Sequence, residues 1–388
     1  MKALVMERRE LRYAAAMVAS RVRPGAGAEV GPLRLRDVEP PALPGDGWQR
    51  LRPRLAGICG SDLDTVDGTA SRYFEPLVSF PFTPGHEVVG TLEDGSRAVL
   101  EPVLGHEARG ELPPSIGAAP GDGHDYGHLV TGHLKPGLQT GACADTGGGW
   151  SEELVAHTTQ LHAVGDALTD EAAVMVEPIA CAVHAVLKAE VADGAKVAVI
   201  GAGTMGLGSI AALRHLTGAD DVLAVAKHGH QRRWARELGA TVVAEPDETR
   251  RAARRLTSSR VIGQGLSGGV DVVIDAVGSA ASLDDALSIV RPRGRVVLLG
   301  LPGTVELDLT GLWHREIELV GAYTYGTEHV HGLDRHTFDV TTELVQTAGL
   351  DRLVSATYPL DRYREAITHA AQAGSRGLVK VCFDLRDG

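Results

Sequence analysis

Three short segments in the first half of the sequence carry side chains that bind metal ions. They are Cys59 in GICGSD, His86 and Glu87 in PGHE, and Glu177 in VEPIACAVHA. Zinc binds thiolate, imidazole and carboxylate ligands together, and a catalytic zinc site uses three protein ligands and leaves a fourth position open. One cysteine, one histidine and one glutamate match that number, so these residues indicate a catalytic zinc site.

Each of these side chains also has an ordinary structural interpretation when it is taken alone. Cys59 could be a small buried side chain, His86 a hydrogen-bonded loop histidine, and Glu177 a carboxylate that caps backbone donors at a helix start. None of these residues therefore indicates zinc when it is taken alone.

A glycine motif in the second half of the sequence could bind a dinucleotide. Gly201, Gly203 and Gly206 have G-x-G-x-x-G spacing, and they lie between the apolar run KVAVI and a helical run that opens at Thr204 and Met205. Such glycines allow a tight turn, a close approach of the backbone to a pyrophosphate, and helix-to-strand packing. We expect a cofactor at this turn; a glycine-rich turn without a ligand is the alternative.

The end of the next predicted strand, DVLAVA, bears on which dinucleotide is bound. About 20 residues after the glycines, NAD-binding chains place an acid that holds the ribose 2′-hydroxyl. That place is Ala226 here, followed by Lys227 and His228, with Arg232 one helical turn further. Cations suit a 2′-phosphate, so NADP is favoured over NAD. The alternative is that they are ordinary solvated charges at a helix start.

The two motifs lie in parts of the chain that differ in pattern. Residues 1–180 carry short apolar runs broken by Pro and Gly, which is typical of a strand-rich domain, and no helical period persists there. Residues 181–322 alternate apolar strands with helical runs, which predicts a parallel sheet with helices on both faces. Residues 323–388 end in an amphipathic helix and a strand, which we expect to complete the first domain.

Composition excludes several classes of protein. The 388 residues contain 38 Lys and Arg against 50 Asp and Glu, so the formal charge of −12 disfavours nucleic acid as a partner. No apolar run is long enough for a membrane span or a signal peptide, so we expect a soluble, cytoplasmic protein without a membrane partner. The four cysteines are too scattered for a disulfide framework.

The ordered motifs resemble the zinc-dependent medium-chain dehydrogenase/reductase family, which includes alcohol, sorbitol, threonine and glucose dehydrogenases. The resemblance covers nearly the whole chain and rests on GICGSD, PGHE, GGGWSEELVAH, VEPIACAVHA, GAGTMG and RPRGRVVLLG in the family's order. It implies an α/β protein with a strand-rich, GroES-like catalytic domain at 1–180, completed by 323–388, and a doubly wound Rossmann domain at 181–322.

The resemblance also implies roles for individual residues. Zinc would be bound by Cys59 and His86 with either Glu87 or Glu177, since family members exchange these carboxylates. Ser61 matches the hydroxyl of the family's proton relay, but Asp64 stands where the relay has a histidine. Asp62 is expected to orient His86 or to cap a helix. Strand position and the resemblance place four residues at the nicotinamide: Val277, Gly278, Leu299 and Gly300.

One part of the family pattern is missing. Many relatives hold a second, structural zinc with four cysteines in a lobe that corresponds here to about residues 100–145, where Cys143 is the only cysteine. A four-cysteine site is therefore excluded, and we expect packing and hydrogen bonds to hold the lobe. A replacement site of His106, His124, His128 and His133 is the alternative, which their irregular spacing disfavours.

These observations predict a zinc-dependent alcohol dehydrogenase or ketone reductase that transfers a hydride between a small-molecule alcohol and NADP(H). The alternatives are a metal-free quinone- or enoyl-type reductase of the same fold and a catalytically silent NADP-binding protein. The resemblance further implies a homodimer or homotetramer, joined through an edge strand near ELDLTGL to EIELVGA.

Overall fold

A computed structural model describes residues 1–330 and 332–386 and divides the chain into two compact units. One unit consists of Met1–Glu177 together with the described residues from Gly349 onward, and the other of Pro178–Ala348. The chain rejoins the first unit at Gly349, whereas the sequence pattern predicts residue 323. Two short antiparallel strands and a helix lie between these positions, and the sequence pattern does not predict them.

The β-strands, in chain order, are β1 Lys2–Met6, β2 Leu33–Asp37, β3 Trp48–Gly57, β4 Val88–Leu92, β5 Arg97–Leu100, β6 Leu154–His157, β7 Leu161–Ala163, β8 Lys196–Ile200, β9 Asp221–Val225, β10 Val242–Ala244, β11 Val261–Ile262, β12 Gly265–Leu266, β13 Val270–Asp275, β14 Val290–Leu298, β15 Glu318–Gly321, β16 Thr327–Val330, β17 Leu333–His336, β18 Val354–Tyr358 and β19 Lys380–Asp384.

The α-helices are α1 Glu10–Ser20, α2 Gly27–Val30, α3 Gly60–Asp67, α4 Asp170–Ala173, α5 Val176–Lys188, α6 Thr204–Leu216, α7 Gly229–Glu237, α8 Thr249–Thr257, α9 Ala280–Ile289, α10 Thr310–His314, α11 Thr337–Ala348, α12 Tyr363–Ala371 and α13 Ala373–Arg376. Short 3₁₀ turns lie between several of these elements.

A mainly antiparallel sheet forms the centre of the first unit, in the order β18-β19-β3-β4-β5-β7, with β6 also paired to β3. The C-terminal strand β19 lies beside β3, so the end of the chain completes the sheet that precedes Cys59. Trp150 and Phe383 pack edge to face in the core beneath it, at 5.3 Å between ring centroids. The Trp150 indole N–H donates to Gly57 O at 3.1 Å, which anchors the end of β3.

Helix α1 is an 11-residue helix inside residues 1–180, where the sequence pattern is typical of a strand-rich domain. Its sequence, ELRYAAAMVAS, is rich in alanine, which has the highest helix propensity. It buries little apart from Ala16, whereas Leu11 is 89 % exposed, so its hydrophobic residues do not follow the stripe that predicts a packed helix. The helix therefore forms largely through local propensity, which a search for apolar periodicity does not detect.

A parallel sheet forms the second unit, in the order β10-β9-β8-β13-β14-β15. Each strand from β8 to β10, and then β13 and β14, is followed by a helix, and KVAVI of β8 is a buried apolar run typical of such sheets. The strand order reverses between β8 and β13, and open parallel sheets bind ligands at that point. The predicted α/β architecture, a strand-rich unit and a unit built on a parallel sheet, is confirmed.

Among the residues that the structure describes, none of the helices is both long and apolar enough to cross a membrane.

Candidate metal centre and dinucleotide turn

Cys59 lies in the tight connection between β3 and α3. Its backbone is extended, and α3 starts at the next residue, Gly60. The Asp62 carboxylate accepts the Cys59 backbone N–H through Oδ2 at 3.1 Å, which satisfies a donor that the first helical turn leaves free. Local sequence thus fixes the direction in which the chain leaves the sheet at Cys59.

Strand pairing brings the PGHE segment beside this connection. His86 and Glu87 directly precede β4, which is antiparallel to β3, and the Gly57 N–H donates to Glu87 O at 2.8 Å. The thiol of Cys59, a ring nitrogen of His86 and a carboxylate oxygen of Glu87 all lie within 4.8 Å of one another. Two distant segments of the sequence, one with Cys59 and the other with the adjacent His86 and Glu87, therefore form one cluster with a donor set suited to zinc.

Asp62 also faces the histidine of the cluster. Its Oδ1 lies 3.4 Å from His86 Nδ1, and both side chains are about 7 % exposed. Burial by itself lowers the pKa of His86, but Asp62 and then Cys59 raise that pKa, so that it lies well above its usual value in the metal-free protein. The two interpretations of Asp62 are not exclusive, because one oxygen caps α3 while the other meets the imidazole.

Lys380 is a buried charge next to the cluster that sequence reasoning missed. It lies at the start of β19, is 3 % exposed, forms an ion pair with Glu87, and donates to Ile58 O at 3.3 Å. The negative charge of Glu87 raises the pKa of Lys380 although burial opposes it, so the amine stays protonated. A lone lysine inside the apolar strand GLVKVCFDL was the available signal.

Glu177 and two other predicted residues of this unit, Ser61 and Asp64, are not among the three side chains of the cluster. Glu177 is buried in the first turn of α5 and is not part of the three-residue group among the described residues. Ser61 lies in the first turn of α3, where its carbonyl accepts from Thr65. Asp64 accepts from the Thr69 hydroxyl at 2.8 Å, and burial raises the Asp64 pKa. The described contacts give Asp64 no link to Ser61.

The lobe at 100–145 is organised around Arg109. This side chain is 1 % exposed, and its guanidinium donates to Thr131 O at 3.1 Å, Lys135 O at 3.4 Å and Gly137 O at 2.5 Å. Burial lowers the pKa of Arg109. A charged group thus joins the first part of the lobe to the loop at 131–137.

Among the described residues, no three cysteine or histidine side chains of this lobe bring their ligand atoms within 4.8 Å of one another. Cys143 is fully buried in a small apolar cluster with Trp48 and Leu134. His106 and His128 stack on each other at 3.9 Å between ring centroids, and burial lowers the pKa of His128. The expectation that hydrogen bonds and packing hold the lobe is consistent with these contacts.

In the second unit, the glycine motif forms the turn between β8 and α6. Gly201 has a φ of +93°, in the region that favours glycine, and Gly203 is the N-cap of α6. A Cβ at Gly206 would collide with Gly201 O, so the third glycine permits the close packing of helix and turn. Thr204 and Met205 open α6, whose backbone N–H groups are suited to an anion.

Four residues predicted for the nicotinamide region lie at the carboxyl ends of β13 and β14. Gly278 has a φ of +76°, and a Cβ there would meet Gly300 O, so these two ends pack tightly. The buried Asp275 accepts the Val277 and Gly278 N–H groups at 2.9 and 3.2 Å, while its own carbonyl accepts from Leu299 and Gly300. Asp275 was not predicted, and burial raises its pKa.

The residues predicted for the 2′-phosphate lie at the end of β9. Ala226 pairs with Ala244 of β10, Lys227 is exposed, and His228 is the N-cap of α7. Arg232 does not extend freely into solvent: it donates to Ala226 O and Lys227 O at 3.0 Å each and pairs with Glu245 at 3.1 Å, a contact that was not predicted.

Sequence comparison identifies both units. Residues 45–166 match the family described as alcohol dehydrogenase GroES-like domain, and residues 204–347 match the zinc-binding dehydrogenase family. Sorbitol dehydrogenase of Bacillus subtilis (strain 168) is 25 % identical over 326 residues, 83 % of this chain and 86 % of the relative. A protein of Mycobacterium tuberculosis named as a probable zinc-binding alcohol dehydrogenase is 33 % identical over 282 residues, 70 % of this chain and 66 % of that one.

Solved structures show the same fold. That of 2R,3R-butanediol dehydrogenase from Bacillus subtilis has a TM-score of 0.72 at 24 % identity and covers 99 % of both chains. A Sinorhizobium meliloti 1021 protein bound to NADP has a TM-score of 0.69 at 24 % identity, over 92 % of this chain and 97 % of that one. The two family matches and the similar dehydrogenases show that the chain belongs to the zinc-dependent medium-chain dehydrogenase/reductase family. The resemblance stated from the sequence is thereby confirmed.

Proposed function

We propose that this chain is a zinc-dependent dehydrogenase that oxidises a secondary or primary alcohol, or reduces the corresponding carbonyl compound, with NADP(H). Membership of a family of alcohol and polyol dehydrogenases supports the reaction class. The single observation that carries the proposal for this chain is the convergence of Cys59, His86 and Glu87 to within 4.8 Å.

The donor set supports a metal ion in this cluster. Polarisation of the substrate oxygen would come from zinc acting as a Lewis acid. Cys59 and His86 would hold the ion, and Asp62 would orient His86 by facing its Nδ1, which leaves Nε2 as the ligand atom. Glu87 is the better candidate for the third ligand, because Glu177 lies outside the cluster among the described residues.

Ser61 is the chain's candidate for moving the substrate proton. Its hydroxyl lies two residues after Cys59, in the first turn of α3, and a side-chain hydroxyl can accept and pass on a proton at its Oγ. Asp64 is a weaker candidate for the next step, since its carboxylate is hydrogen-bonded to Thr69.

The cofactor would bind at the glycine turn of the second unit. The Gly201–Gly206 turn and the start of α6 suit the pyrophosphate, and the tightly packed ends of β13 and β14 suit the nicotinamide, which takes up or gives the hydride. Lys227, His228 and Arg232, without an acid at Ala226, favour NADP. The NADP bound to the Sinorhizobium meliloti protein supports the same choice.

The named relatives suggest a class of substrate. Sorbitol, D-arabinitol and 2R,3R-butanediol dehydrogenases act on molecules with neighbouring hydroxyl groups. We therefore propose a polyol or vicinal diol, rather than a simple aliphatic alcohol, as the first class to screen. The metal-free reductase and the catalytically silent protein are disfavoured, because neither needs the three ligands to meet.

Elemental analysis and activity on polyols, measured on one preparation, test the proposal. The wild type is expected to hold about one zinc per chain, and Cys59→Ser to lose both the zinc and the activity. Cys181→Ser is the matched control, since it makes the same change outside the cluster, and it should retain the zinc. A wild type that binds NADP but takes up no zinc in metal-supplemented medium would favour the metal-free reductase.

We further propose that the protein is a homodimer or homotetramer whose copies meet at β15. This strand lies at one edge of the parallel sheet and pairs only with β14 among the described residues, so its outer backbone groups are available to another strand. Leu319 on β15 is 39 % exposed, and Trp313 shortly before it is 78 % exposed. Burial of these side chains against a second copy would remove apolar surface from water.

A further inference from the structure

The ends of β9 and β10 hold an ion pair at the place that distinguishes the two cofactors. Ala226 follows β9 and occupies the position where an acid would meet the ribose 2′-hydroxyl. Glu245 follows the neighbouring strand β10, and Arg232 of α7 connects the two ends. The Glu245 carboxylate therefore lies near this position, but it follows β10, whereas the sequence motif expects an acid at the end of β9.

The two terminal nitrogens of the Arg232 guanidinium make different contacts. Nη1 donates to Ala226 O and Lys227 O, which holds the side chain at the end of β9. Nη2 lies 3.1 Å from Glu245 Oε1. The contacts with the backbone do not involve Glu245, so they hold Arg232 in place without it. Nη2 can therefore bind another anion in place of the Glu245 carboxylate.

Positive charge is concentrated around this pair. The positive charges of His230, Lys227 and Arg232, after the effect of burial, lower the pKa of His228. Of the charged groups that contact Arg232, Glu245 is the acidic one among the described residues. The Glu245 side chain is 53 % exposed, against 23 % for Arg232, so the carboxylate can move away into water while the guanidinium stays.

We propose that Glu245 determines cofactor specificity by holding Arg232 in competition with the 2′-phosphate of NADP. When NADP binds, Nη2 exchanges the Glu245 carboxylate for the phosphate, and Glu245 turns to solvent. NAD has no 2′-phosphate and does not compete for Arg232, so Glu245 weakens the binding of NADP without affecting the binding of NAD. This inference rests on the proposed dinucleotide site and adds to it the residue that sets the balance between the two cofactors.

Titration calorimetry of the full-length protein with NADP and with NAD, in a phosphate-free buffer at low salt, tests the proposal. Glu245→Gln should bind NADP about fivefold more tightly, with NAD binding unchanged, because an exposed ion pair is worth up to about 1 kcal/mol. Arg232→Met should weaken NADP and leave NAD within about twofold. The gain of Glu245→Gln should shrink in high salt, which screens the charges.

The matched control is Glu316→Gln, which breaks another exposed ion pair of the same unit, with Arg293 at 2.6 Å. It should leave both affinities unchanged. Unchanged NADP binding by Glu245→Gln would overturn the proposal, and so would weaker NAD binding with NADP unaffected, since Glu245 would then hold the 2′-hydroxyl. A wild type that binds neither cofactor would instead overturn the proposed function itself, and this inference with it.

Discussion

Asp62 faces His86, with its Oδ1 3.4 Å from the imidazole Nδ1, while its Oδ2 accepts the backbone N–H of Cys59. One carboxylate therefore contacts two of the residues that we propose as zinc ligands, His86 through its ring and Cys59 through its backbone. The negative charge next to the imidazole favours the orientation in which the other ring nitrogen is left for the metal.

Replacing Asp62 with asparagine should weaken zinc binding without unfolding the protein. Asparagine can still accept the Cys59 N–H, but it removes the charge that faces His86. We expect a loss of zinc affinity of about tenfold or more, measured by competition with a chromogenic chelator. Asp64→Asn is the control, because Asp64 lies on the same helix as Asp62 but its carboxylate accepts from Thr69, beyond the end of that helix. Equal affinities of the two variants would contradict this role of Asp62.

The buried pair of Lys380 and Glu87 should control the stability of the metal-free protein. Lys380→Met leaves Glu87 buried without its cation, which typically costs about 3–5 kcal/mol in the free energy of unfolding. The double variant Lys380→Met, Glu87→Gln should recover much of that loss, because the uncompensated charge is gone. Urea unfolding of the chelator-treated proteins measures both. A Lys380→Met variant as stable as the wild type would exclude the pair as a stabilising contact.

The same pair predicts a direction for the pH dependence of stability. The folded pKa of Lys380 is raised above its unfolded value, which is about 10.4 for lysine. Its contribution is therefore fully present below about pH 10 and is lost as the pH rises further. Urea unfolding at pH 8 and at pH 10.5 should show a smaller loss of stability for Lys380→Met than for the wild type.

The glycine turn and the two segments of the candidate metal cluster, GICGSD and PGHE, could be found in the sequence because each is a short local motif. GAGTMG has its spacing, its preceding strand and its following helix in one stretch of sequence, and the structure places each glycine as the motif requires. The contact of Cys59 with His86 and Glu87 follows from the pairing of β3 with β4. From the sequence alone, this contact could be predicted only through the family resemblance.

The missed residues act through contacts between distant segments. Lys380 meets Glu87 only because β19 returns to β3, and Glu245 meets Arg232 only because β10 lies beside β9. Neither pair has a spacing rule that a single sequence reveals. Helix α1 was missed for the opposite reason, since its helicity is local and it buries no periodic apolar face.

Arg109 should stabilise its lobe in a way that does not depend on metal. Arg109→Met removes a charged donor from three buried or half-buried carbonyl groups, and hydrogen bonds to charged groups contribute about 1.5–3 kcal/mol each. Hydrogen exchange of residues 127–137 should therefore become faster in the variant. Lys135→Met, which breaks an exposed ion pair with Asp145, should change it little.

A chelator provides the second arm of that experiment. Removing metal from the wild type should leave the exchange of residues 127–137 unchanged, since the guanidinium holds this loop. Faster exchange after chelation, together with more than one zinc per chain, would show that a metal ion holds the lobe instead.

The edge strand β15 should be the place where two copies meet. Leu319→Asp puts a charge on the exposed side of that strand, and like charges facing each other across a symmetric interface oppose association. Sedimentation velocity should show a dimer or tetramer for the wild type and a smaller species for Leu319→Asp. Ile262→Asp, 66 % exposed in the β11–β12 hairpin of the same unit, is the matched control and should retain the wild-type assembly. If Ile262→Asp dissociates the oligomer and Leu319→Asp does not, the contact lies at the hairpin rather than at the sheet edge.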